Sequence, residues 1–155
     1  MKLSDSGNPV SNKQITDLEE KISAKLPEKY VHFLFLNNGG YVDGFLVTPT
    51  FIETDPESHE KYYQSSNIDK FYSVDEIIEE YEANKEDPAW EDCYLPIAYD
   101  SSGNVFLLYL GADDNYGKVY FANHEMFNPD TDFFVITNIA DDFDTFVNSL
   151  RPFEG

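Results

Sequence analysis

The stretch YLPIAYDSSGNVFLLYLGADDNYGKVYFAN, residues 94–123, decides the fold. It holds three short runs rich in aromatic and aliphatic residues, YLPIAYD (94–100), VFLLYL (105–110) and KVYFAN (118–123), with a fourth, DFFVIT (132–137), beyond them. The first three are joined by DSSGN (100–104) and GADDNYG (111–117), short polar turns that each contain glycine. Such runs and turns read as consecutive antiparallel strands. VFLLYL is apolar almost throughout, which predicts a central strand covered on both faces.

Working outward, the period changes from two to about 3.6 residues at both ends of the chain. Ser11 and Gln14 form a capping-box pair ahead of Ile15, Leu18 and Ile22, so a helix is expected over 12–24. In LPEKYVHFLFLNNGG (26–40), Pro27 suits a first turn, Tyr30, Phe33 and Leu34 share a face, and Gly39 suits a left-handed stop. YVDGFLV (41–47) and TFIE (50–53) read as strands. Ser73 and Glu76 are a second capping-box pair, opening an acidic helix whose buried side carries Ile77, Ile78 and Tyr81 before Pro88. At the far end, Asn138 is the expected cap of a helix with Ile139, Phe143, Phe146, Val147 and Leu150 on one stripe, stopped by Pro152. The fold class is therefore α+β: one domain over 1–155, with a single antiparallel sheet, N-terminal helices, an inserted acidic helix and a C-terminal helix packed on it.

Composition supports a folded domain. Of 155 residues, 41% are hydrophobic and 16% aromatic, enough to build a core despite a net charge of −20. Residues 1–40 are electrically balanced, with five lysines and five acids, so the whole excess lies after residue 40. It is densest at 75–92, where nine carboxylates meet only Lys85. A field of this sign repels nucleic acid and anionic membranes and attracts basic partners. No run reaches the roughly 18 apolar residues of a membrane helix, and MKLSDSGNPVSNK has no signal-like apolar core, so a cytoplasmic location is expected.

Chemistry-bearing motifs are few. Cys93 stands alone, which excludes an internal disulfide and reads as a reduced, inert thiol. His32 falls in a helical pattern and His59 in a polar loop; His124, after a strand and before Glu125, is the histidine to test for a catalytic or small-ligand site. DDNYG (113–117) and NPDTD (128–132) group oxygen ligands, yet neither follows the calcium-loop spacing, and Asp and Asn favour turns in their own right. No phosphate-binding glycine pattern is present, and the scattered basic residues leave no nucleic-acid footprint. Neither cofactor nor metal is expected.

With these features in place, ITDLEEKISAKLPEKYVHFLFLNNGG (15–40), LPIAYDSSGNVFLLYL (95–110) and GKVYFANHE (117–125) together resemble the SUKH superfamily, related to yeast cell-wall assembly regulators. The likeness rests on Leu26, Pro27, Tyr30, Phe33, Leu34, Asn38, Gly39 and Gly40, then on Asp100, Gly103, Asn104 and Val105, then on Gly117, Val119 and Tyr120. It implies an α+β fold without shared catalytic residues. Bacterial members resemble immunity proteins that neutralise toxin domains, often nucleases, whereas fungal members are regulatory scaffolds with long additional regions; the absence of such regions here favours the bacterial role. The expected partner is then a basic toxin domain, with a regulatory protein-binding module as the alternative. The acids expected to meet it are Asp55, Glu57, Glu86, Asp87, Glu91, Asp92, Asp113 and Asp114. Trp90 is open between an aromatic anchor among those acids and a core residue.

Overall fold

A computed structural model of the chain describes residues 1–154. Its first helix, α1 (Asn12–Ile22), begins where the capping box placed it: Ser11 accepts from the Gln14 N–H and Gln14 caps the Ser11 N–H in return. The helix stops before residue 24 because Ser23 turns left-handed, at φ 53°. In α2 (Glu28–Leu36), Tyr30 and Leu34 point inward, and Pro27 stands just outside the first turn. Beyond it Gly39 has φ 69°, and a Cβ there would lie 2.5 Å from the Ser73 backbone nitrogen, so only glycine lets the two segments approach. The acidic helix α3 (Val74–Glu86) is capped by Ser73 and Glu76 and buries Val74, Ile77, Tyr81 and Asn84.

The main sheet has seven strands in the order β1 (Leu3–Ser4), β2 (Gly40–Val42), β6 (Lys70–Phe71), β7 (Tyr94–Tyr99), β8 (Val105–Tyr109), β9 (Val119–Phe127) and β10 (Phe134–Ala140). All neighbours are antiparallel. Two ribbons accompany it: β3 (Leu46–Val47) with β11 (Arg151–Pro152), and β4 (Phe51–Thr54) with β5 (Lys61–Gln64). The segment 41–47 is thus not one strand, since Gly44 at φ 81° breaks it into β2 and β3.

Asn138 is not a helix cap. It lies within β10, where its side-chain amide donates to the carbonyls of Val119 and Ala140, and Ile139 is a strand residue with it. The last helix, α4 (Phe143–Ser149), is capped instead by Asp142, which accepts from the Thr145 N–H at 2.7 Å. Two competing Asx signals stood four residues apart, and strand pairing claimed the first.

Alternate residues of the central strands serve two separate cores. Phe106, Leu108, Val119 and Phe121 join the helical residues Leu18, Leu34, Ile77, Phe143 and Phe146 in the larger one. Leu107 and Ala122, one residue out of step, form a smaller core under Trp90. Phe106, Leu107 and Leu108 are all fully buried, so β8 is covered on both faces as its composition predicts. The larger core is strongly aromatic: Phe106 meets Phe146 at 5.4 Å and Phe121 at 5.5 Å between ring centroids. Each such side chain contributes roughly 1.5–3 kcal/mol by leaving water.

Candidate protein-binding face

On the side of the sheet opposite the larger core, three tyrosines collect beyond the edge of the Trp90 cluster. Tyr94 and Tyr109 are direct cross-strand partners of β7 and β8, and Tyr120 pairs with Leu107 on the same face. Their rings pack edge to face, Tyr94 with Tyr109 at 5.1 Å and Tyr94 with Tyr120 at 5.3 Å. Each pair of this kind adds about 0.5–1.5 kcal/mol beyond simple burial. All three remain half-exposed. They offer rigid apolar surface with a hydroxyl at the tip, the side-chain type enriched at protein interfaces.

Carboxylates border this cluster. The Tyr109 hydroxyl donates to Asp113 at 2.6 Å, and Asp113 also accepts from the Asn115 N–H at 2.8 Å. Those two bonds, the phenol first, hold the Asp113 carboxyl below its ordinary range, while Asp113 and burial push the Tyr109 phenol up. Burial, with Tyr120 and then the charges of Glu91 and Asp113 nearby, raises Tyr94 to about 12. The phenols therefore stay neutral donors at physiological pH, beside Asp113, which stays charged.

The structure draws some of the expected acids together and leaves others apart. Glu91 and Tyr94 line one cleft and Asp113 is bonded to Tyr109, so these two acids meet the tyrosines, whereas Asp92 lines a separate hollow with Ser23, Leu95 and Leu110. A cleft of about 290 Å³ joins Glu91 and Tyr94 to Pro56, bringing the Asp55–Glu57 loop to the same border. Within that loop Asp55 accepts from the N–H groups of Glu57 and Ser58, which bends the hairpin and lowers its carboxyl, while Glu57 stands exposed. Asp114 is exposed beside Asp113. Glu86 and Asp87 are exposed at the end of α3, and no contact links them to the tyrosines.

Trp90 is core and not an exposed anchor. Its side chain is only 5% accessible, covers Leu107 and Ala122, and meets Phe134 at 6.0 Å. Asn84 fixes the segment by donating to the Trp90 carbonyl and accepting from the Ala89 N–H. What sequence reasoning missed is the tyrosine trio itself. Its signal was the register that places Tyr94, Tyr109 and Tyr120 on one face, which requires knowing how the strands pair.

A family model for the SMI1/KNR4 family (SUKH-1) matches residues 9–149, nearly the whole of this architecture. The chain belongs to the SMI1/KNR4 (SUKH-1) family. It is also similar to the SPbeta prophage-derived uncharacterized protein YokK of Bacillus subtilis strain 168, at 29% identity over 90% of this chain and 74% of that protein.

The SUKH-1 resemblance positions are largely framework. Leu26, Tyr30, Leu34 and Val119 are buried in the larger core. Asp100 is buried too, and accepts from Ser66, the Ser102 N–H and both the N–H and side-chain amide of Asn104, so it organises the β7–β8 turn. His124, the histidine singled out for catalysis, belongs to the same framework. Its backbone N–H donates to Asn104, its Nδ1 lies 2.6 Å from the same oxygen, and its ring packs against Gly103. The two oxygen-rich turns are held by their own side chains: Asp113 accepts from Asn115, and Asn128 from the Asp130 N–H. The Cys93 thiol is pushed up, by burial first and then by Glu91, which keeps it protonated and unreactive. Among the described residues, no helix is long and apolar enough to cross a membrane.

Proposed function

We propose that this SUKH-1 domain is a cytoplasmic immunity protein that binds and neutralises the toxic domain of a polymorphic or contact-dependent bacterial toxin, a basic nuclease, without catalysis of its own. The observation that carries the reading is the placing of Glu91 and Asp113 beside the half-exposed Tyr94, Tyr109 and Tyr120. A nuclease needs a positive surface to hold phosphates, and an acidic partner gains both steered encounter and a competing position on that surface. The tyrosines supply the desolvated centre that charge alone lacks, with the carboxylates as its rim. Membership of a family of immunity and regulatory domains supports protein binding in general.

The test is co-purification with the product of the gene beside this one, which the reading expects to carry a toxic domain. The reading expects a stable complex that weakens as salt rises and protects nucleic acid from that domain. If the neighbouring gene encodes no toxin and an endogenous regulatory protein is captured instead, the immunity role is lost and the scaffold role takes its place.

A further inference from the structure

A second concave site lies away from the tyrosines, between the β7–β8 turn and the segment leading out of β5. Its cavity has a volume of about 490 Å³ and is lined by Asp100, Asn123, Glu125 and Gln64, with Phe45 and Phe153 at one lip. No lysine, arginine or histidine lines it. The lip rings pack against each other at 5.5 Å and 75°, yet Phe45 remains 53% and Phe153 60% accessible. The Phe153 N–H donates to the Phe45 carbonyl, so the β3–β11 ribbon holds both rings in place.

Two carboxylates, Asp100 and Glu125, line this space and a third, Glu53, is bonded to its lining residue Asn123; no lysine or arginine among the described residues forms an ion pair with any of them. Asp100 has its lone pairs filled by the turn. Glu53 is fully buried behind the wall and receives only amide donors, both of its oxygens accepting from the Asn123 side chain at 3.0 and 3.2 Å. A buried carboxylate without a cation is costly, and burial raises this one above the usual glutamate range. Glu125 stands at the mouth: its backbone N–H is anchored to the Asn123 Oδ1, and its exposed carboxylate has the His124 Nε2 at 3.8 Å and no lysine or arginine partner among the described residues.

We propose that this cavity is a socket for an arginine side chain of the protein partner, with the guanidinium paired to Glu125 and its plane against Phe45 and Phe153. Arginine fits better than lysine because its planar fork can bridge a carboxylate in two bonds and stack on aromatic rings, and because it sheds water more readily. The inference rests on the reading that the partner is a basic protein, and adds a second contact region to it.

The site is testable without that partner. Amide chemical shifts would be followed while N-acetyl-Gly-Arg-Gly-amide is added, with the citrulline and lysine tripeptides as controls. The proposal expects saturable shifts confined to 45–47, 64–67, 100–104, 121–125 and 153, weaker binding for lysine and none for citrulline. Glu125→Gln and Phe153→Ala, both at exposed positions, should each weaken arginine binding at least about fivefold, the loss of one charge-assisted or cation–π contact. Absence of saturable shifts, or equal binding of citrulline, overturns the socket; equal binding of lysine overturns the stacking of a guanidinium on the rings. Failure here leaves the tyrosine–carboxylate face standing, because the toxin complex tests that face independently.

Discussion

The two faces of the seven-stranded sheet are made by alternate residues of the same strands, yet they are finished differently. One carries Phe106, Leu108, Val119 and Phe121 beneath helices and is closed to water. The other buries Leu107 and Ala122 under Trp90 and then opens onto Tyr94, Tyr109 and Tyr120, with carboxylates around them. A single-residue step along β8, from Leu108 to Tyr109, crosses from one environment to the other. The contrast separates two demands on one sheet: stability is placed where packing can be complete, and the proposed recognition where it is left unfinished.

Truncations should divide along that line. Phe106→Ala, in the closed core, should cost about 3–5 kcal/mol in denaturant unfolding, since the surrounding rings cannot collapse into the space. Trp90→Ala should come close behind, at about 3 kcal/mol, because Trp90 seals the smaller core. A Trp90 variant that kept full stability and lost only partner binding would erase the distinction drawn between lid and open face.

A smaller effect concerns Glu53. Burial raises its carboxyl above the usual glutamate range, against the lowering bonds from Asn123 and Gln64. The folded state then disfavours the charged form: stability is lost as pH rises from the ordinary glutamate value through the raised folded one, and the full cost persists above it. Glu53→Gln should therefore raise the melting temperature at about pH 8 and lose that advantage near pH 4, below the usual glutamate value. Destabilisation at pH 8 that disappears near pH 4 would show that the charge, and not merely the acceptor, holds the β4–β5 ribbon.

The Tyr30 hydroxyl is fully buried without a hydrogen-bond partner. Tyr30→Phe should leave stability unchanged or raise it by up to about 1 kcal/mol, since it removes a desolvated group and keeps the ring packing against Phe143. Smallest of all, Glu91→Gln should stay within about 0.5 kcal/mol of the parent, as an exposed substitution on the open face.

How much of this was legible in the sequence follows the same division. Periodicity and capping located the helices and central strands because those signals are local: Ser11 with Gln14, Ser73 with Glu76, and the unbroken VFLLYL. Asn138 misled because an Asx residue before an apolar stripe marks a helix start only when no strand partner claims it, and β9 did. The candidate site was half legible. Charge selected Glu91 and Asp113, but Glu86, Asp87 and Asp92 stood out equally and lie apart, since composition carries no distance. Tyr94, Tyr109 and Tyr120, spread over 27 positions, meet only through strand register. Trp90 could not be assigned from its acidic neighbours because the residues it covers, Leu107 and Ala122, are remote in sequence.

The account turns on whether the open face is the one a basic partner meets. The direct measurement is the affinity of the neighbouring-gene toxic domain for the parent, for a Glu91→Lys, Asp113→Lys double variant and for Tyr30→Phe, at about 50 and 300 mM salt, between which the screening length shrinks from roughly 14 to roughly 6 Å. The account predicts a loss of at least about a hundredfold for the charge-reversed face, from two reversed rim pairs, with a flattened salt dependence and unchanged binding by Tyr30→Phe. Parent-like affinity and salt dependence in the double variant would contradict it.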